Sequence, residues 1–234
     1  MGKDKLRRFA ELHTFKHVIE ADVDEVFKTD HPVKGQWNKT RFSNNNPIVL
    51  ELGCGKGEYT VKLASVYSFK NFIGVDIKGN RMWVGAKQAL EQNFTNVNFL
   101  RTRIEFISAF FKPNEVDEIW VTFPDPQSIK SRRNKRLTSP TFLNSYKGFL
   151  RNGGIVHLKT DSDFLYNYTI EVIKRNKLKT ILSTFDLYNS EYADLTYGVK
   201  THYEQIFLGK GQPIHYLQFT LDDCEKIEEP DNFE

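Results

Sequence analysis

From Pro47 to Asp161, short apolar runs alternate with longer segments whose apolar residues recur at helical spacing. Ile48–Leu52, Phe72–Asp76, Val97–Leu100, Ile119–Phe123 and Ile155–Leu158 are rich in β-branched and aromatic residues, the pattern of parallel strands buried on both faces. Glu58–Tyr67, Asn80–Asn93, Ile104–Phe111 and Ser139–Leu150 have the length and spacing of covering helices, and Gly153-Gly154 supplies a turn ahead of the fifth strand. Alternating strands and helices joined by right-handed crossovers give a doubly wound α/β sheet. Beyond Asp161 the pattern predicts a helix over Ser162–Asn176 and two strands, Thr180–Leu187 and Ile214–Leu221, that pair as a hairpin-like edge; a long polar stretch separates them. The total is seven strands. Ahead of Pro47, the basic segment Gly2–His17 and the loop-rich Thr29–Asn46 read as an appended arm. The chain thus divides into a basic arm (1–46), a body (47–221) and an acidic tail (222–234).

At 234 residues and 39% hydrophobic content, one substantial core is the default. A 14% aromatic content, nineteen residues of it Phe, excludes a disordered or low-complexity chain. Two cysteines, Cys54 and Cys224, supply neither a disulfide framework nor a four-ligand zinc site, and the six histidines show no metal-binding spacing, so no metal is expected. With no apolar run of spanning length and a charged N-terminus, the expectation is a soluble cytoplasmic protein without a membrane partner. The formal charge of +3 hides an asymmetry. Residues 221–234 hold seven acids against Lys226, a net −6, so residues 1–220 carry +9. Such a body favours a polyanionic partner, although a solvated basic surface is also common.

The first apolar strand runs into Glu51-Leu52-Gly53-Cys54-Gly55-Lys56-Gly57 and then into a helix. Glycines at alternate positions let the backbone take positive φ and let a ligand approach the main chain beside a helix start. A dinucleotide fingerprint requires glycine at position 58, where Glu58 stands, which disfavours a nicotinamide oxidoreductase. Asp76 follows Gly55 by twenty-one residues at the end of the second strand, the interval at which such folds place an acid for ribose hydroxyls. The alternative for Asp76 is a helix cap, and for Glu51 a simple strand-end acid. The E-x-G-x-G-x-G run resembles the first motif of S-adenosylmethionine-dependent methyltransferases, and that resemblance implies that Glu105, or the backbone groups of Arg103 and Ile104, meets the adenine after the third strand.

The fourth strand ends in Phe123-Pro124-Asp125-Pro126, a carboxylate between two prolines at the strand end where open α/β sheets bind ligands; the bland reading is a strand terminator. Residues 127–136 then carry Lys130, Arg132, Arg133, Lys135 and Arg136. Five cations in ten residues beside a ligand-binding corner suit a phosphate backbone, and Lys3, Lys5, Arg7, Arg8 and Lys16 of the arm add to the basic surface.

The chain resembles the bacterial tRNA (guanine-N7-)-methyltransferase family, within the class I S-adenosylmethionine-dependent methyltransferases. The resemblance runs from about Pro47 to Leu221 and rests on ELGCGKGEYT from Glu51, FPDP from Phe123 with the basic run to KRLT, HLKTD ending at Asp161, and T-x-Y-E at Thr201–Glu204. It implies a Rossmann-like seven-stranded sheet, mostly parallel, with one antiparallel strand near the C-terminus. It also implies S-adenosylmethionine as cofactor, S-adenosylhomocysteine as product, and a variable-loop guanine of tRNA as substrate. By similarity, cofactor binding falls on Glu51, Gly53, Gly55, Gly57, Asp76, Arg103, Ile104 and Asp125, with Asp125 also catalytic. Substrate binding falls on Lys130, Arg132, Arg133, Lys135, Asp161, Thr201, Tyr203 and Glu204, with Asp161 and Glu204 accepting from the guanine edge. Two positions depart from the family: Gln127 replaces a tryptophan, which shifts the expected lysine from Ile129 to Lys130, and Arg103 stands where Asp or Asn is common. The competing readings are a methyltransferase acting on another RNA and a non-catalytic RNA-binding partner of the same fold; the glycine run and Asp125 argue against the second. A monomer or homodimer is expected. The tail is either disordered or a competitor of RNA for the basic surface.

Overall fold

The computed structural model describes residues 2–21, 23–195, 198–222, 224–231 and 233. Asp223 and Glu234 of the acidic tail lie outside them, as does the side chain of Lys3 in the arm. The chain divides into two compact units, Met1–Val116 and Asp117–Glu234.

In the first unit, helix α1 (Gly2–Leu12) leads to strand β1 (Val18–Glu20), α2 (Val23–Lys28) and a π-helical turn at Trp37–Phe42. The βα repeat follows as β2 (Ile48–Leu52), α3 (Glu58–Val66), β3 (Asn71–Asp76), α4 (Gly79–Glu91) and β4 (Val97–Arg101), then a 3-10 turn at Ile104–Ala109. The strand order is β1-β4-β3-β2, and each neighbouring pair is parallel. Every residue of β2 is buried, which is why it carries no polar alternation. The described residues ahead of β2 are packed onto this unit. The α1 helix packs on α4, β1 adds to the free edge of β4, and Trp37 donates its indole N–H to the Phe110 carbonyl (2.9 Å) while stacking on Phe111. Because β1 has only three half-buried residues, no periodicity announces it.

The second unit continues the α/β pattern from β5 (Val116–Thr122) through a 3-10 turn at Lys130–Lys135, α5 (Pro140–Lys147), β6 (Leu150–Thr160), α6 (Asp163–Arg175), β7 (Thr180–Thr184), α7 (His202–Gly209) and β8 (His215–Phe219). Its strand order is β5-β6-β8-β7, with β8 antiparallel to both β6 and β7. The α6 helix starts on Ser162, whose hydroxyl accepts the Leu165 N–H (3.2 Å). Gly153-Gly154 lies inside the long β6 rather than before it; Gly153 has φ +71° and donates its N–H to Asp222 (2.8 Å). The described residues thus form eight strands where seven were expected, in a mostly parallel Rossmann-like fold with one antiparallel strand near the C-terminus. No described helix is long and apolar enough to cross a membrane.

The described tail residues pack against the second unit. Asn144 at α5 and Asn176 at the end of α6 each clamp one tail residue from both sides, holding the N–H and C=O of Ile227 (2.9 and 2.8 Å) and of Glu228 (2.7 and 2.8 Å). Ile227 is buried, which supplies an apolar gain that the run of acids alone conceals.

Candidate active site

In the first unit, β2 delivers Glu51 to the glycine turn almost fully buried, and its carboxylate accepts the Thr60 hydroxyl of α3. The turn is pinned to β3, since the N–H groups of Gly53 and Cys54 both donate to the Val75 carbonyl (2.9 and 3.0 Å). Gly53, Gly55 and Gly57 take φ of +78°, +57° and +71°. A Cβ on Gly57 would stand 2.5 Å from the Phe99 ring, while Gly85 of α4 lies against the Gly57 backbone and donates its N–H to the Lys56 carbonyl (2.7 Å). Asp76 closes the arrangement. Its Oδ2 accepts the Gly55 N–H (2.9 Å) and its Oδ1 the Lys78 N–H (2.7 Å). The cap position of α4 is Lys78, so Asp76 does not serve as the helix cap. Burial, reinforced by the charges of Glu51 and Asp76, pushes the Cys54 thiol well up; it stays protonated and fills space.

Arg103 is exposed and ion-paired with Glu105 (3.2 Å) at the start of the 3-10 turn that Ile104 opens. Beside it, the Thr102 N–H donates to the Asp76 carbonyl (3.2 Å), and the Thr102 hydroxyl is buried with no hydrogen-bond partner among the described residues. Sequence reasoning passed over Thr102; a small polar residue directly after a buried strand was the available signal. This set fits S-adenosylmethionine. Asp76 is oriented by two N–H donors and retains acceptor capacity for two hydroxyls, the glycine main chain admits close approach, and Thr102 offers an unused hydroxyl. Gly57→Ala is expected to cost at least about 2 kcal/mol, from the left-handed backbone and the Phe99 overlap together. Calorimetric donor titration should show binding weakened more than tenfold.

In the second unit, Asp125 is exposed at the end of β5, its Oδ1 accepting the Gln127 N–H (3.0 Å). The corner is bent by two non-glycine residues in the left-handed region, Phe123 (φ +47°) and Gln127 (φ +45°). Strain of this kind is retained only where the surroundings hold it. Phe123 donates its N–H to the Lys159 carbonyl of β6 (2.8 Å) and stacks its ring on Phe207 of α7 (5.9 Å between centroids).

Lys130, Arg132, Arg133 and Lys135 lie exposed along the 3-10 turn that follows. Arg136 departs from the expected strip of five. It is 3% exposed, its guanidinium lies over the rings of Phe164 (4.7 Å) and Tyr168 (4.2 Å), and its Nε–H donates to the Gln127 carbonyl (3.2 Å).

Asp161 is half-buried immediately after β6. Thr201 caps α7, accepting the Glu204 N–H (3.0 Å), while Glu204 returns Oε2 to the Thr201 N–H (2.9 Å), a full capping box. Tyr203 is exposed on the first turn. Glu204 is fully buried and already engaged: Oε1 meets the buried Lys159 ammonium (2.6 Å) and accepts the Tyr188 hydroxyl (2.5 Å). Burial lowers the Lys159 pKa, and the Glu204 charge opposes that shift. Lys159, overlooked from sequence, thus links the Thr201–Glu204 cap to the Asp125 corner.

Other candidates resolve into packing. Arg7 and Arg8 of α1 lie over the Trp83 ring of α4, as does Lys87 of α4 itself, and Arg7 also pairs with Asp4 and Glu11, so the two arm cations hold α1 to α4. Trp120 stacks on His157 (4.0 Å). Among the described residues, no cluster of three or more His, Cys, Asp or Glu is placed to hold a metal ion.

A family model described as a putative methyltransferase matches residues 45–217. A tRNA (guanine-N(7)-)-methyltransferase of Bacteroides fragilis is 49% identical over 99% of this chain and 91% of its own length. One of Christiangramia forsetii is 48% identical over 94% and 99%, and one of Listeria monocytogenes serotype 4a is 30% identical over 94% and 95%. Among solved structures, the 16S rRNA methyltransferase KamB superposes with a TM-score of 0.60 at 16% identity, covering 80% of this chain and 93% of that one, which shows the fold alone. With the glycine turn, Asp76 and the Asp125 corner in place, and with relatives matched over nearly its whole length, the chain belongs to the tRNA (guanine-N7-)-methyltransferase family.

Proposed function

We propose that this chain transfers the methyl group of S-adenosylmethionine to N7 of a variable-loop guanine in tRNA, as a cytoplasmic monomer or homodimer. The observation that carries the reading is the exposed Asp125 carboxylate, held on a strained corner that leads directly into four exposed cations. The activity of the relatives, tRNA (guanine-N(7)-)-methyltransferases, supports it.

The cofactor supplies a sulfonium-activated methyl group. In this assignment Asp76 accepts the ribose hydroxyls, the Gly53–Gly57 main chain admits close approach, Glu51 faces the cationic end of the cofactor, and the Arg103 and Ile104 backbone meets the adenine. Guanine N7 already exposes a lone pair, so the reaction requires no general base; positioning and electrostatics carry it. The base becomes cationic on methylation, and Asp125 stabilises that growing charge. Lys130, Arg132, Arg133 and Lys135 bind tRNA phosphates, with Asp161, Thr201 and Tyr203 nearer the guanine. Glu204 acts by shaping the Thr201 cap, since its oxygens are engaged within the fold.

Two measurements separate the alternatives. Calorimetry with S-adenosylmethionine should show one-site binding; no binding favours a non-catalytic RNA-binding protein. Methyl-label transfer to unmodified tRNA should exceed transfer to ribosomal RNA at least a hundredfold; the reverse preference points to another RNA.

A further inference from the structure

We propose that the C-terminal residues Ile227–Asp231 and Phe233 form a strap that shapes the basic loop through Arg136, so that Arg136 and Tyr168 are positioning residues for tRNA binding. This rests on the reading of that loop as the tRNA-gripping surface.

The loop from Gln127 to Arg136 is closed on itself. The Nε–H of Arg136 donates to the Gln127 carbonyl, and Gln127 in turn donates its N–H to Asp125. A loop of ten residues carrying four exposed cations repels itself, and without a closure its conformational entropy opposes any single shape. Arg136 supplies that closure only if its guanidinium stays in place. Two rings hold it there, those of Phe164 and Tyr168 on α6. Both rings lie under the tail: the Tyr168 hydroxyl donates to Glu229 (2.9 Å), and Phe233 packs edge-on against Phe164 and Tyr168 (5.3 Å each). The Asn144 and Asn176 clamps fix the strap just upstream. An unbroken chain of contacts therefore runs from the tail to the carboxylate of Asp125.

The strap makes a prediction of opposite sign to simple electrostatics. Residues 227–234 carry Glu228, Glu229, Asp231 and Glu234 and no cation, so deleting them makes the protein more basic, which by charge alone tightens tRNA binding. As a strap, its loss loosens the loop and weakens binding. The experiment uses the full chain, the deletion of residues 227–234, and Arg136→Lys, which keeps the charge but loses the planar stacking and the Nε donor. Circular dichroism reports folding, and Arg136→Lys decides alone if the deletion does not fold. Tryptic cleavage within 130–135 reads loop order without RNA, while the KM values for tRNA and for S-adenosylmethionine are measured separately. The expected result is cleavage at least tenfold faster and a tRNA KM raised about tenfold, with the KM for S-adenosylmethionine unchanged. Unchanged cleavage, or tighter tRNA binding, overturns the proposal. Faster cleavage with tRNA affinity unchanged, together with an Arg132→Ala/Arg133→Ala variant of normal affinity, upholds the strap and overturns the reading of the loop beneath it.

Discussion

Replacing Asp125 with alanine is expected to slow single-turnover methyl transfer by about 100- to 1,000-fold, the usual consequence of removing one preorganised electrostatic group. Affinity for tRNA should stay within about threefold, because the exposed cations, the dominant source of RNA affinity, remain. The geometry supports this separation. Asp125 accepts the Gln127 N–H, and its corner is also held by the Phe123 N–H to the Lys159 carbonyl and by the Phe123–Phe207 stack. Removing the carboxylate leaves those two supports standing. Near-normal turnover of Asp125→Ala would sink the assignment.

Lys159→Met should have the largest effect on stability. Lys159 and Glu204 are both fully buried, and methionine fills the lysine volume while leaving the Glu204 carboxylate without its counter-charge. Breaking a buried pair from one side costs about 3–5 kcal/mol, whereas replacing both members by apolar groups is often neutral. Denaturant unfolding should therefore show a large loss for Lys159→Met and recovery of most of it in Lys159→Met/Glu204→Leu. Activity should not recover in the double variant, because the Glu204 return bond to the Thr201 N–H is lost with the carboxylate. A single variant within about 1 kcal/mol of the parent would mean that the pair is not buried in solution.

These two residues also mark how far the sequence could be read. The buried parallel strands were legible because both faces are covered, so β2 and β3 are mostly apolar, with no polar alternation, and their charged residues, Glu51 and Asp76, fall near the strand ends. The glycine turn and Asp76 were legible for a similar reason: positive φ at Gly53, Gly55 and Gly57 leaves few residue choices. The α7 helix was missed although its start is written in the sequence, since Thr201-His202-Tyr203-Glu204 is a capping box as well as a family motif. Reading Glu204 only as a ligand for guanine hid its local role. Arg136 was counted with its neighbours because charge spacing does not distinguish a solvated arginine from one sandwiched between rings supplied 28 and 32 residues later. The described part of the tail was hidden for the same reason. Its acids dominate the composition, but its placement is decided by buried Ile227 and two asparagine clamps, which are tertiary contacts.

The central claim is the identity of the methylated atom. Unmodified tRNA is incubated with the full chain and methyl-labelled S-adenosylmethionine, digested to nucleosides, and the labelled product identified by chromatography and mass. The account predicts a single labelled nucleoside, 7-methylguanosine, absent when Asp125→Ala replaces the parent protein over the same single-turnover interval. Label in any other nucleoside, or none with a protein that binds the donor, would contradict it.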